Sequence, residues 1–140
     1  MLDDQADLIG PLIAVYLAKH GARSVRLVTR WPMVGMETIA DAYFEWIIPQ
    51  VYEANVTLQV DHFVKSIGAQ SMTIYNIYAP DRVMEVPADS IVMATARQSL
   101  NSLAVAAASL PVTVDIIGDA TAPRSTYEAV FEGHRQARKI

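Results

Sequence analysis

Apolar residues recur at Ile9, Leu12, Ile13, Tyr16 and Leu17, three and four positions apart, behind Gly10-Pro11, and Gly21 follows Lys19-His20 as a stop. That spacing puts the apolar side chains on one helical face and predicts a helix over residues 10–20. After a four-residue connection, Val25-Arg26-Leu27-Val28-Thr29 is rich in strand formers, and the short link suits a βαβ unit. The first strand of such a unit belongs just before Asp3-Asp4, where only Met1 and Leu2 stand, so it is expected to be truncated. Residues 38–55 carry Ile39, Ala42, Tyr43, Trp46, Ile47 and Val51 at helical spacing. Pro49, which has no backbone donor, is expected to kink or divide that helix.

Apolar or alternating runs follow at 56–60, 62–67, 71–78, 82–86 and 90–94. Residues 71–78 alternate almost strictly and Ala79-Pro80-Asp81 reads as a turn, which fits a hairpin or meander. The short apolar run at 90–94 suits a buried parallel strand. Residues 99–109 form an alanine-rich helix or loop, 112–117 a last buried strand, and 125–139 a last helix with Tyr127, Val130, Phe131, His134 and Ala137 inward. The order β-α-β-α-meander-β-α-β-α is that of an α/β, Rossmann-like parallel sheet, a three-layer fold of the FAD/NAD(P)-binding type with a small antiparallel meander as insert.

Composition narrows the function classes. The chain of 140 residues is long enough for a compact domain but short for a redox enzyme with its own cofactor and substrate domains. It is 52% hydrophobic and 19% charged with a formal net charge of -4, and its basic residues are scattered, so nucleic acid and anionic membranes are not expected partners. The absence of cysteine removes disulfides, thiolate metal sites, iron–sulfur ligation and a cysteine nucleophile. The start Met1-Leu2-Asp3-Asp4 has neither the basic region nor the apolar stretch of a signal peptide, and the best apolar run, 103–112, is broken by Ser109 and Pro111. A cytoplasmic location is the expectation.

The run 112–117 leads directly into Gly118-Asp119, placing a glycine and a carboxylate at the carboxyl edge of a parallel sheet, where α/β folds bind ligands. Glycine admits close backbone approach, Asp119 can accept hydrogen bonds from sugar hydroxyls, and the next helix offers amino-terminal N–H groups to a phosphate. The plain alternative is a turn glycine beside an aspartate that caps a backbone amide. No catalytic residue and no metal ligand set is predicted. His20, His62 and His134 stand far apart, and no nucleophile elbow is present. Tyr16, Tyr43 and Tyr127 are followed four residues on by His20, Ile47 and Phe131 rather than lysine, which disfavours a one-domain dehydrogenase. Trp31, Trp46 and the tyrosines of 71–78 are better read as packing than as stacking platforms.

The segment Ile117-Gly118-Asp119-Ala120-Thr121-Ala122-Pro123-Arg124, with Tyr127-Glu128-Ala129-Val130-Phe131-Glu132-Gly133-His134-Arg135 and Arg138, resembles the carboxyl-terminal end of a flavoprotein family. That family includes trimethylamine dehydrogenase, histamine dehydrogenase, dienoyl-CoA reductase and bacterial N-demethylases. Asp3-Asp4, Ile9-Gly10-Pro11, Leu17-Ala18, Gly21 and Val28-Thr29 match it in order, so the resemblance covers nearly the whole chain and is nearest the amine dehydrogenase branch. It implies that residues 1–111 are an inserted NAD(P)-binding-like domain and 112–140 the return strand and helix of a FAD/ADP-binding domain, the two forming one compact unit. It further implies an upstream flavin barrel domain with FMN and an iron–sulfur cluster, and FAD or ADP held by Gly118, Asp119 and Ala120, with binding weak at best when these 140 residues stand alone. Arg124 either balances phosphate charge or pairs with Glu128 one helical turn on.

The other nucleotide fingerprint departs from its pattern. With Gly10 as the last glycine of G-x-G-x-x-G, Gln5 and Asp7 stand at the other two glycine positions, and Asp3 and Asp4 add negative charge. Such a turn suits a pyrophosphate poorly, whatever Arg30 offers at the end of strand two. Two functions emerge: a nucleotide-binding segment of a multi-cofactor flavin-dependent oxidoreductase, inactive alone, or a non-catalytic scaffolding or dimerisation domain with a degenerate nucleotide site. A homo-oligomer is compatible with both.

Overall fold

A strand of two residues, β1 (Leu2–Asp3), lies at the centre of a parallel sheet. It pairs with β2 (Arg26–Thr29) on one side and β7 (Met93–Ala94) on the other, and β3 (Thr57–Gln59) extends the sheet beyond β2 in the order β3-β2-β1-β7. Bonds just outside the strand lengthen its hold: Leu2 N–H donates to the Val92 carbonyl at 2.8 Å, Asp4 N–H to Ala94 at 3.0 Å and Val28 N–H to Met1 at 2.9 Å. The run at 56–60, grouped by its sequence with the meander, gives its strand to this parallel sheet instead. The computed structural model describes residues 1–139, and the chain divides into two compact units, Met1–Ala96 and Arg97–Ile140.

In the first unit, neighbouring residues of β2 point to opposite faces, as a strand requires. Leu27 joins Ala14 and Val15 of α1 (Ile9–Lys19) and Ile47 and Val51 of α2 (Phe44–Glu53) in one core, while Val28 and Leu2 join Met72, Ile74 and Val86 in another. Helices thus cover one face of the parallel sheet and an antiparallel meander of β4 (His62–Ile67), β5 (Ser71–Asn76) and β6 (Ala79–Pro87) covers the other. This is the Rossmann-like, three-layer arrangement with its meander insert that the element order predicts. Alternation along β5 explains the layer: Met72 and Ile74 are buried at 2% and 0% exposure, with Ser71 and Thr73 on the other side.

Two local breaks fall elsewhere than the sequence suggests. The helical pattern of 38–55 divides at Ala42, whose φ of 58° leaves the helical region, between a 3-10 turn at Met36–Thr38 and the start of α2. Pro49 lies inside α2, where it withholds one hydrogen bond from the Glu45 carbonyl without ending the helix. The hairpin turn sits on Ile77-Tyr78 rather than Ala79-Pro80-Asp81, because the Asn76 carboxamide accepts the N–H groups of Tyr78 and Ala79 at 3.0 and 3.1 Å. Ala79 and Pro80 then open β6, an outer strand where proline is tolerated.

The second unit contains α3 (Ser102–Ala107) and α4 (Thr126–Ala137). Helix α4 begins with a capping box: the Ser125 hydroxyl accepts Tyr127 N–H at 3.2 Å and the Glu128 carboxylate accepts Ser125 N–H at 3.1 Å. Two expectations are corrected here. Residues 112–117 form no strand among the described residues, and Val112, Val114, Ile116 and Ile117 are between 42% and 60% exposed, because no neighbouring ladder receives them. The face of α4 carrying Tyr127, Val130, Phe131, His134 and Ala137 is exposed rather than inward. Its inner face is that of Glu128, Ala129, Glu132 and Gly133, drawn in by contacts with Gly118. No described helix is long and apolar enough to cross a membrane.

Leu27 is wholly buried between the helices and the sheet. Leu27→Ala is expected to destabilise the chain by roughly 2–5 kcal/mol in urea unfolding; a loss under about 1 kcal/mol would contradict this packing. Gly118 has φ +61° and an added Cβ would stand 3.3 Å from the Ala129 Cβ. Gly118→Ala is therefore expected to cost about 1–2 kcal/mol in the same measurement, and an unchanged midpoint would show that the turn is free to relax.

Candidate functional site

At the second unit's turn, Gly118-Asp119-Ala120 forms one 3-10 turn, with the Gly118 carbonyl accepting the N–H groups of Thr121 at 2.9 Å and Ala122 at 3.1 Å. The left-handed φ of Gly118 needs a residue without Cβ, and the close Ala129 adds a steric reason. Asp119 is exposed, and its Oδ1 accepts Arg124 N–H at 3.3 Å, which folds the segment 119–124 back on itself. The Thr121 hydroxyl donates to the Ile116 carbonyl at 3.0 Å. All four residues singled out from the sequence, Gly118, Asp119, Ala120 and Arg124, thus lie around a single turn.

One residue that the sequence reading did not single out organises their charges. The Glu132 carboxylate accepts Gly118 N–H at 2.7 Å through one oxygen and pairs with the Arg124 guanidinium through the other. The Gly118 N–H first and the Arg124 side chain second hold the Glu132 carboxyl below its ordinary range. Arg124 therefore pairs two helical turns along α4, with Glu132, rather than one turn along with Glu128. Glu128 belongs to the helix cap, where the Ser125 hydroxyl lowers its carboxyl as well. The missed signal is a spacing: Glu132 lies eight residues beyond Arg124, a separation that is close only after the chain turns into α4.

The turn after β1 has the opposite electrostatic character. Asp3 is wholly buried, and its Oδ1 accepts the N–H groups of Gln5 at 3.2 Å and Ala6 at 3.1 Å. Burial is the chief cause that raises its carboxyl above the ordinary aspartate range, against those two hydrogen bonds, with Asp7 and Asp4 adding smaller repulsions. Asp7 Oδ1 accepts Ile9 N–H at 2.9 Å at the start of α1. Arg30, at the end of β2, pairs with Asp4 and lies 5.2 Å over the Phe63 ring, while Trp31 Nε1 donates to the Asp4 carbonyl at 3.1 Å. The arginine that stands where a ribose phosphate is met in dinucleotide folds is thus engaged within the protein.

No protein-family model matches the chain, and no curated protein sequence does. Solved structures do. Histamine dehydrogenase from Rhizobium sp. 4-9 superposes with a TM-score of 0.87 at 28% identity, covering 99% of this chain and 22% of that one. The 6-hydroxypseudooxynicotine amine oxidase of Pseudomonas geniculata N1 gives 0.85 at 23% identity, over 96% of this chain and 20% of its own. A 2-naphthoyl-CoA reductase gives 0.77 at 20% identity, over 99% and 21%. These last two likenesses speak for the fold alone, and the chain spans about a fifth of the length of the structures it matches. In fold and in the order of its motifs, this chain resembles the carboxyl-terminal region of the trimethylamine dehydrogenase and dienoyl-CoA reductase-like NADH:flavin oxidoreductase family.

Proposed function

We propose that the chain is the nucleotide-binding segment, at the carboxyl end, of a multi-cofactor flavin-dependent oxidoreductase of the amine dehydrogenase, N-demethylase or enoate reductase kind, and that it holds FAD or ADP. The observation that carries this reading is the likeness to histamine dehydrogenase over 99% of the chain. The turn at Gly118 supplies a chemical reason. Asp119 presents an exposed carboxylate to a sugar hydroxyl, and the partly exposed Ala120 follows it in the same turn. Flavin, when bound, supplies hydride and electron transfer; these residues bind and orient it, and none of them is a catalytic residue. The division of labour between an NAD(P)-binding-like part at 1–111 and a FAD/ADP-binding part at 112–140 belongs to the same proposal, as do self-association and an upstream flavin barrel with FMN and an iron–sulfur cluster.

Arg124 balances phosphate charge on this reading only when it releases Glu132, which now takes both the guanidinium and the Gly118 N–H. That internal neutralisation favours the second reading, a scaffolding or dimerisation domain whose nucleotide site is degenerate. The exposed apolar residues Leu100, Leu103, Tyr127 and Val130, each more than 65% accessible, suit it as well.

The two readings part at Asp119. In the full-length protein, Asp119→Ala is expected to weaken flavin or ADP binding by about tenfold or more, corresponding to the loss of a hydrogen bond donated by a sugar hydroxyl to a charged carboxylate. Cofactor content measured after purification would fall accordingly; unchanged content would support the scaffold. Glu132→Gln is expected to strengthen ADP binding by freeing Arg124 and the Gly118 N–H. Weaker binding in calorimetry would mean that Glu132 positions the site rather than competes for it. Because the Glu132 carboxyl is held low, its stabilising pair is present above the ordinary glutamate range and is lost as pH falls through the folded-state value.

A further inference from the structure

We infer that the turn between β1 and α1 is a dinucleotide cradle closed from within, in which the buried Asp3 carboxylate occupies the place of a phosphate and so excludes NAD(P) from this unit. This inference is independent of the reading of Asp119.

In a dinucleotide fold, the amides of the turn after the first strand and the glycine-opened start of the next helix receive a pyrophosphate. Here the amides of Gln5 and Ala6 already donate to Asp3 Oδ1. The last glycine of the pattern, Gly10, is required by the same carboxylate: a Cβ there would stand 2.8 Å from Asp3 Cγ and 3.0 and 3.1 Å from its oxygens. In the usual motif that glycine serves close packing of helix on strand; here the side chain of the strand's last residue fills the space. Ala6, wholly buried, takes φ 51° so that its N–H meets Asp3, a conformation costly for a residue with a Cβ.

The second oxygen, Asp3 Oδ2, is buried without a hydrogen-bond partner. A phosphate brought to this turn would face that carboxylate, and Asp7 at the helix start adds a second negative charge. Repulsion between anions in a site shielded from water is strong. Arg30, at the end of β2, is bound to Asp4 and stacked over Phe63. The cradle therefore keeps its geometry while its donors, and Arg30 beyond it, serve the protein's own carboxylates.

The test is a double-mutant cycle in the 140-residue chain, joined to an amide-resolved titration with NADH. Gly10→Ala is expected to lower the melting temperature, and the same change made in Asp3→Ala is expected to be markedly less harmful, since the methyl group then has the vacated space. Equal losses in both backgrounds would overturn the pairing. Asp3→Asn provides a second readout should Asp3→Ala not fold. In the unmodified chain the Gln5 and Ala6 amide resonances are expected to follow the titration of one carboxyl, with its midpoint above the ordinary aspartate range, and Asp3→Asn is expected to abolish that dependence. Persistence of the dependence in Asp3→Asn would contradict the assignment. NADH at millimolar concentration is expected to leave both amides unmoved, whereas a saturable shift would show an open cradle.

Discussion

A carboxylate buried at the end of a two-residue strand fixes the path of the chain through the first unit. Asp3 terminates β1, which is flanked on both sides in the parallel sheet, and its Oδ1 draws in the amides of Gln5 and Ala6. That fixes Ala6 in a left-handed conformation, and the Ala6 carbonyl in turn accepts Glu37 N–H at 3.0 Å, tying the turn to the segment that leads into α2. Gly10 lets α1 pass directly over the carboxylate. Asp4, the next residue, anchors Arg30 and, through its carbonyl, Trp31 at the end of β2. One acidic pair thus sets the direction of a helix and the exit of the neighbouring strand. Its desolvation works against the fold: with the Asp3 carboxyl raised, stability falls as pH rises from the ordinary aspartate value through the folded one.

Both turns place a carboxylate of the protein on backbone N–H donors, but the surroundings differ. Asp3 is wholly buried and burial raises its carboxyl, so the charge is enclosed at a cost that the turn's geometry offsets. Glu132 holds Gly118 N–H and an arginine that is 43% exposed, and both partners lower its carboxyl. A partner that is open to water can exchange one anion for another at little expense; a buried one cannot. The difference is why the proposed ligand site is the second turn and not the first.

Much of the first unit is legible in the sequence, for reasons that lie in particular residues. The spacing of Ile9 through Leu17 fixes α1 within a residue at each end, and the strict alternation of 71–78 gives β5 and its buried Met72 and Ile74. Local chemistry of lower visibility decides the remainder. Ala42 breaks the second helix by its backbone conformation, which its side chain does not announce, while Pro49, which does announce a break, costs only one hydrogen bond. The hairpin obeys the Asn76 side chain rather than the neighbouring proline. In the second unit, the β-rich run 112–117 has the side chains of a strand, but a strand is made by its neighbour, and no described residues pair with it. Likewise the apolar stripe of Tyr127, Val130 and Phe131 specifies a helix with one greasy face without specifying what meets it. Gly118, Asp119, Ala120 and Arg124 were visible as a cluster because they are adjacent in sequence; Glu132, which governs two of them, was not, because the contact exists only after folding.

An ADP titration of the chain, followed amide by amide in nuclear magnetic resonance, probes the nucleotide assignment most directly. Saturable shifts confined to Gly118, Asp119, Ala120 and the start of α4 are predicted. Saturable shifts at Gln5, Ala6 and Gly10 with none at Gly118 to Ala120 would contradict the account.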